Sequence, residues 1–92
     1  VSGDPLGEAQ ATEDALRAQL GDLIGAKARA AHEAARLDVR AGLPGADPEL
    51  AALADRHRAQ AARLAAEVEE VRSSLRAQEV RTESLRADAA GA

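Results

Sequence analysis

Two hydrophobic stripes, one in each half of this chain, mirror each other about a Pro-Gly turn, and a helical hairpin satisfies both at once. The first stripe reads Leu6, Ala9, Glu13, Leu16, Leu20, Leu23, Lys27, Ala30, Ala34, Leu37, Ala41. The second reads Leu50, Ala54, His57, Ala61, Leu64, Val68, Val71, Leu75, Gln78, Thr82, Leu85. Each advances by alternating threes and fours, the spacing that keeps one face of an α-helix against a partner helix. Folding the chain back at Gly45-Ala46 sets Ala41 against Leu50, Leu23 against Val68, Leu16 against Leu75 and Leu6 against Leu85. Every a position then meets a d position, as antiparallel packing requires. The expected fold is all-α: an antiparallel two-helix coiled-coil hairpin, with pairing of two hairpins into a four-helix bundle as the next level of assembly.

The boundaries follow from capping chemistry. Asp4-Pro5 and Asp47-Pro48 repeat one signal: an Asp side chain accepts from exposed amides, and Pro occupies the first helical position, where no N–H is needed. The expected organisation is an N-terminal extension over 1–4 and a hairpin over 5–88. Helix 1 covers about 5–41, the turn 42–47 and helix 2 about 48–87; a frayed tail covers 89–92. Thr12, followed by Glu13 and Asp14, is a second possible start for helix 1, because Gly7 weakens its first turn. Gly42 suits a left-handed C-terminal position, and Leu43-Pro44-Gly45-Ala46 makes the turn. Helix 2 should be ~60 Å long at 1.5 Å per residue. Gly21 and Gly25 interrupt helix 1, each at ~1 kcal/mol relative to Ala. They mark either local softness or close approach of another helix.

The seam has to be built without Phe, Tyr, Trp, Met or Cys, from Leu, Val, Ile and Ala alone. So thin a core is marginal in a small domain that has no staple or partner. Summed side-chain volume predicts well-filled layers in the half of the hairpin away from the turn, Leu16/Leu75, Leu20/Val71 and Leu23/Val68. It predicts poor ones toward the turn: Lys27/Leu64, Ala30/Ala61 and Ala34/His57. On this reasoning Leu20 matters more to stability than Leu37. Lys27 is expected to run its stem past Leu64 toward Glu67. Beside the weak layers, Ile24, Ala28, Ala31 and Ala35 line the e/b flank of helix 1, and Ala62 and Ala65 the matching flank of helix 2. Since e faces e in an antiparallel pair, these six form one apolar strip. A lone hairpin leaves it wet; a second hairpin or a partner helix buries it.

Catalytic and ligand chemistry finds no foothold in the pattern. His57 falls in the seam, where a polar residue fixes register. His32 falls at an f position pointing away from it, so the two are not placed to share a metal. Glu67, Glu69 and Glu70, with Glu13, Asp14 and Asp22, make an acidic surface. Paired carboxylates can do acid–base work or hold a divalent ion, but on a long helix they ordinarily form a solvated face. The serines have no organised His–Asp partners. Arg56, Arg58 and Arg63 form a short basic run without aromatic residues on which bases would stack. No enzyme, cofactor or metal is expected.

The charge of −4 is unevenly placed: residues 27–64 hold seven basic and five acidic side chains, the remainder five and eleven. The excess near the turn is far below that of a typical nucleic-acid binder. No run reaches the ~18 apolar residues of a membrane span, and no basic-then-apolar leader opens the chain. A cytoplasmic setting is therefore expected. The excess of Arg over Lys, eleven to one, points to a GC-rich bacterial gene.

Two family resemblances attach to particular segments. The hairpin with its Gly-containing turn and Asp47-Pro48-Glu49-Leu50-Ala51-Ala52-Leu53-Ala54 resembles the long hairpin of phage-shock protein A relatives. Members of that family assemble on membranes with the help of an N-terminal amphipathic helix that this pattern does not show. Leu16-Arg17-Ala18-Gln19-Leu20-Gly21-Asp22-Leu23-Ile24 is similar to the first helix of Gre-type transcript-cleavage factors. Those factors place acidic residues at a hairpin tip inside RNA polymerase. Asp47 and Glu49 lie near this tip, without that family's tip motif. Three functions are consistent with these patterns. The first is a structural or interaction protein that binds itself, as a homodimer, or a partner helix through the strip. The second is an adaptor docking its tip, Asp38 through Arg58, on a larger machine such as RNA polymerase. The third is a peripheral membrane or nucleic-acid binder, against which the net acidity and the missing aromatics count. The strip favours the first.

Overall fold

A computed structural model describes residues 4–91, and Val1, Ser2, Gly3 and Ala92 of the two expected terminal segments lie outside them. Two helices account for almost all of it: α1 (Pro5–Ala41) and α2 (Glu49–Gly91). They lie antiparallel in a ribbon of 72 × 21 × 13 Å. The smallest dimension is about one helix diameter, 10–12 Å with side chains, so the hairpin is a single layer with one seam.

The N-terminus of α1 is set by Asp4. Its carboxylate accepts from the Gly7 amide at 3.1 Å, and its carbonyl accepts from the Glu8 amide at 3.0 Å. Gly7 does not weaken this turn; it makes room for it. A Cβ at position 7 would stand 2.5 Å from Asp4 Oδ2. The alternative start at Thr12 is unused. Its hydroxyl donates to the Glu8 carbonyl at 3.0 Å, inside an uninterrupted helix. The second Asp-Pro signal works similarly, with Asp47 Oδ1 accepting from the Glu49 amide at 2.9 Å.

The turn departs from expectation at one residue. Gly42 is right-handed (φ −81°, ψ −6°), and its amide bonds the Asp38 carbonyl at 3.1 Å. The left-handed residue is Gly45 (φ +74°). Leu43-Pro44-Gly45-Ala46 closes through the Ala46 amide on the Leu43 carbonyl at 3.2 Å. Pro at the second position with a positive-φ Gly at the third is the type II arrangement. The reversal is thus made after the helix ends, and the helix needs no left-handed cap. At the far end α2 runs to Gly91, so Ala89 and Ala90 continue the helix where a frayed tail was expected.

All of the seam positions except Lys27 are buried or half-buried. Ala9, Glu13, Ala30, Ala34 and Leu37 of α1 and Ala54, Val68, Val71 and Thr82 of α2 are buried. Leu6, Leu16, Leu20, Leu23, Leu50, His57, Leu64, Leu75 and Leu85 are half-buried. Lys27 is exposed, with half-buried Gly25 and Ala26 just before it, and no ion pair joins it to Glu67. Burial of Leu20 and Leu37 runs against the expected order, although Val68 and Val71 in the expected well-filled layers are buried. Leu37, near the turn, is the best-buried leucine at 3 % exposure, and Ala54 is fully enclosed at 0 %. Leu16, Leu20, Leu23 and Leu75 all keep solvent contact. Small residues return little area each, but they let the helices close in, and a leucine among them is then wrapped. A single seam of facing leucines leaves their outer edges wet.

Two outcomes are expected in thermal or urea unfolding. Leu37→Ala should cost more than Leu20→Ala, with the former inside the ~2–5 kcal/mol range of buried leucine truncations. Equal losses would show that exposure does not rank this seam. Gly21→Ala should stabilise by up to about 1 kcal/mol, because a Cβ there meets nothing within 4 Å. Gly7→Ala should gain nothing, since the same propensity is spent displacing the Asp4 cap.

Candidate interaction surface

The expected apolar strip is open to solvent. Ile24 is 42 % exposed, Ala28, Ala31, Ala35 and Ala62 are exposed, and only Ala65 is half-covered. No neighbouring element approaches the helix at Gly21, so the glycine pair does not serve close packing within the hairpin.

The ends of the strip are marked by cross-helix ion pairs that the sequence reading did not anticipate. At one end Arg17 Nη2 lies 3.4 Å from Glu79 Oε2. At the other, Arg58 engages Asp38 through both guanidinium nitrogens, at 3.1 and 3.2 Å, and also holds Asp55 at 3.2 Å. Residues 17, 38, 58 and 79 are all e positions, so both bridges stand on the flank that carries the strip. This e-against-e pairing is what the expected register requires. Leu6 and Leu85 accordingly line one cleft at the open end, with Pro5 and Ala89. Pairing e positions under the antiparallel register would have identified both bridges. Searching for clusters of like charge could not, since each bridge joins residues distant in sequence.

Arg17 also anchors a polar layer of the seam. It pairs with Glu13, which is nearly buried, and reaches Asp14 at 3.6 Å. Partial desolvation opposes the charged form, but the Glu13 and Glu79 carboxylates outweigh it and hold the guanidinium above its ordinary range. Next to it, Thr82 is 1 % exposed, and its hydroxyl donates to the Gln78 carbonyl at 2.9 Å. Gln78 Nε2 crosses the seam to the Ala9 carbonyl at 3.3 Å. Among the described residues no buried side-chain nitrogen or oxygen lacks a partner. The polar layer is therefore complete.

The opposite flank, made by g and c positions, differs. Ala26, Arg29, Ala30, Glu33, His57 and Gln60 line a shallow groove there. His57 is half-buried in the seam floor, and His32 is exposed. At the tip Leu43 and Leu53 are exposed, as is Val39. Among the described residues no helix is long and apolar enough to cross a membrane.

No protein-family model, curated protein or solved structure matches this chain. The two resemblances noted above gain no support from them, and function must be argued from the surface itself.

The Asp38–Arg58 bridge should show coupling of up to about 1 kcal/mol in a double-mutant cycle with alanine, falling in high salt, as half-exposed pairs do. Zero coupling at low salt would remove it as a clamp on the tip.

Proposed function

We propose that this chain is a non-enzymatic coiled-coil interaction protein that pairs with a second copy of itself through the e/b strip, forming a four-helix bundle. One observation carries the reading: a solvent-exposed apolar strip on a one-layer hairpin, bounded at both ends by cross-helix ion pairs. A span of 21 residues separates Arg17 from Asp38, or ~31 Å of helix. Place a twofold axis level with Ala28, α1 against α1. Arg17 of one copy then lies level with Asp38 of the other. Opposite charges meet at both ends of the α1 contact, and Ile24 lies level with Ala31 of the second copy. A twofold arrangement is also the commonest closed assembly. A cytoplasmic setting is part of the proposal.

A second reading has its own observation. Leu43 at 59 % exposure, with Leu53 and Val39, gives the tip an apolar character suited to docking on a larger machine. The two readings separate on one measurement. Light scattering across a concentration series should show the dimer mass by about 100 µM, above a micromolar dissociation constant. Ala31→Glu should give a monomer of reduced helicity, because a carboxylate would be buried unpaired at the centre of the strip. A wild type that is monomeric and fully helical at that concentration overturns self-association and leaves the tip as the working surface.

A further inference from the structure

The charges of this hairpin are sorted by flank. Seven of the eight ion pairs among the described residues involve e-position arginines or their e/b neighbours; Arg36–Glu33 alone belongs to the g/c flank. On that flank Arg29, Arg56 and Arg63, and Asp22, Glu67 and Glu70, are exposed and form no ion pair within the chain. Arg63 and Glu67 stand four apart on α2, but with the cation toward the N-terminus, the less favourable order for a helical pair. The unpaired charges are also segregated along the ribbon. Most of the arginines lie toward the turn and most of the carboxylates beyond the level of Lys27 and Leu64; Arg81 in the acidic half and Glu49 near the turn are the exceptions.

We infer that the g/c flank is a second self-docking surface, on which another copy lies antiparallel, with the basic tip half of each over the acidic half of the other. With α2 against α2 and the axis level with Leu64, Arg56 comes within two residues, ~3 Å, of the level of Glu70 of the second copy and Arg63 within the same distance of Glu67, and the twofold repeats both pairs. On α1 the same axis brings Asp22 toward Arg29. A polyanion fits this face less well, because the acidic half begins one helical turn past Arg63. The inference does not depend on the strip. If both flanks are used, a dimer formed through one flank presents the other on both outer faces, and the assembly becomes open-ended.

The salt dependence has a diagnostic sign. A chain of net charge −4 repels its own kind more as salt falls. Docking by segregated charge does the reverse, because the Debye length grows from roughly 4 Å at 0.5 M to about 20 Å at 0.02 M. Light scattering should therefore show mass above the dimer in 20 mM salt, rising with concentration, and its loss in 500 mM salt. The strip dimer, held by apolar contact, should survive high salt. A monomer at high salt that still associates at low salt would sink the strip reading and keep this one.

Charge exchange completes the test. Arg56→Glu with Arg63→Glu, and separately Glu67→Arg with Glu70→Arg, should each abolish low-salt growth while helicity by circular dichroism is unchanged. Mixed in equal amounts, the two variants should restore it. Failure of the mixture to associate, or unchanged wild-type mass between the two salts, overturns the inference. So does binding of a single-stranded oligonucleotide by a wild type that shows no low-salt growth, which would assign the basic half to polyanions instead.

Discussion

A single seam between two helices holds this molecule together, and among the described residues no other element backs it. Whatever fixes the seam's register therefore fixes the fold. The apolar residues do this poorly, because alanine, leucine and valine at a/d spacing tolerate a slip of one heptad. The charges at e positions do it better. In the observed register Arg17 stands against Glu79 and Asp38 against Arg58. Slip α2 by seven residues one way and Arg17 faces Arg72; slip it the other way and Arg17 faces Arg86. Each exposed bridge is weak by itself, ~0–1 kcal/mol, but the alternatives are repulsive. The polar layer adds to this, since a slip strips Gln78 of the Ala9 carbonyl it meets across the seam.

The same economy divides the surface. On the e/b flank the charges neutralise one another within the chain, leaving an apolar middle. On the g/c flank, Arg36–Glu33 apart, they are left unmatched and mostly sorted by sign. A ribbon one helix thick has both flanks fully accessible, so each can meet a partner without displacing the other. The apolar flank is suited to contacts that persist in salt, the charged flank to contacts that salt dissolves.

Much of this architecture was legible in the sequence. Asp4-Pro5, Leu43-Pro44-Gly45-Ala46 and Asp47-Pro48 place the elements, because each uses chemistry local to a few residues. The strip from Ile24 to Ala65 was legible too, since heptad position decides flank. The burial order of Leu20 and Leu37 differs from the layer volumes for a definite reason. Volume added layer by layer ranks Leu20/Val71 above Leu37/Ala54, but burial depends on how closely the helices approach, and small residues set that distance. Gly42 and Gly45 exchanged roles because a glycine at a helix end satisfies two descriptions, and only the backbone distinguishes them. Gly7 read as a defect until the Asp4 carboxylate was seen to occupy the space of its missing side chain.

Folding and association are coupled in a molecule of this shape. Ordering a residue costs roughly 1–2 kcal/mol of backbone entropy, and one seam whose leucines remain half-wet returns only part of that. Covering Ile24 and its neighbouring alanines would add apolar burial without adding chain to be ordered, so the proposed second copy would contribute to the stability of the first. Binding that favours only the folded form shifts unfolding by mass action. On the proposed pairing the strip would be both an interface and a missing wall of the core. This accounts for alanines where an isolated hairpin would carry charge: a wall meant for another helix must be smooth and close-fitting. The flank opposite needs no such wall and keeps its arginines and carboxylates.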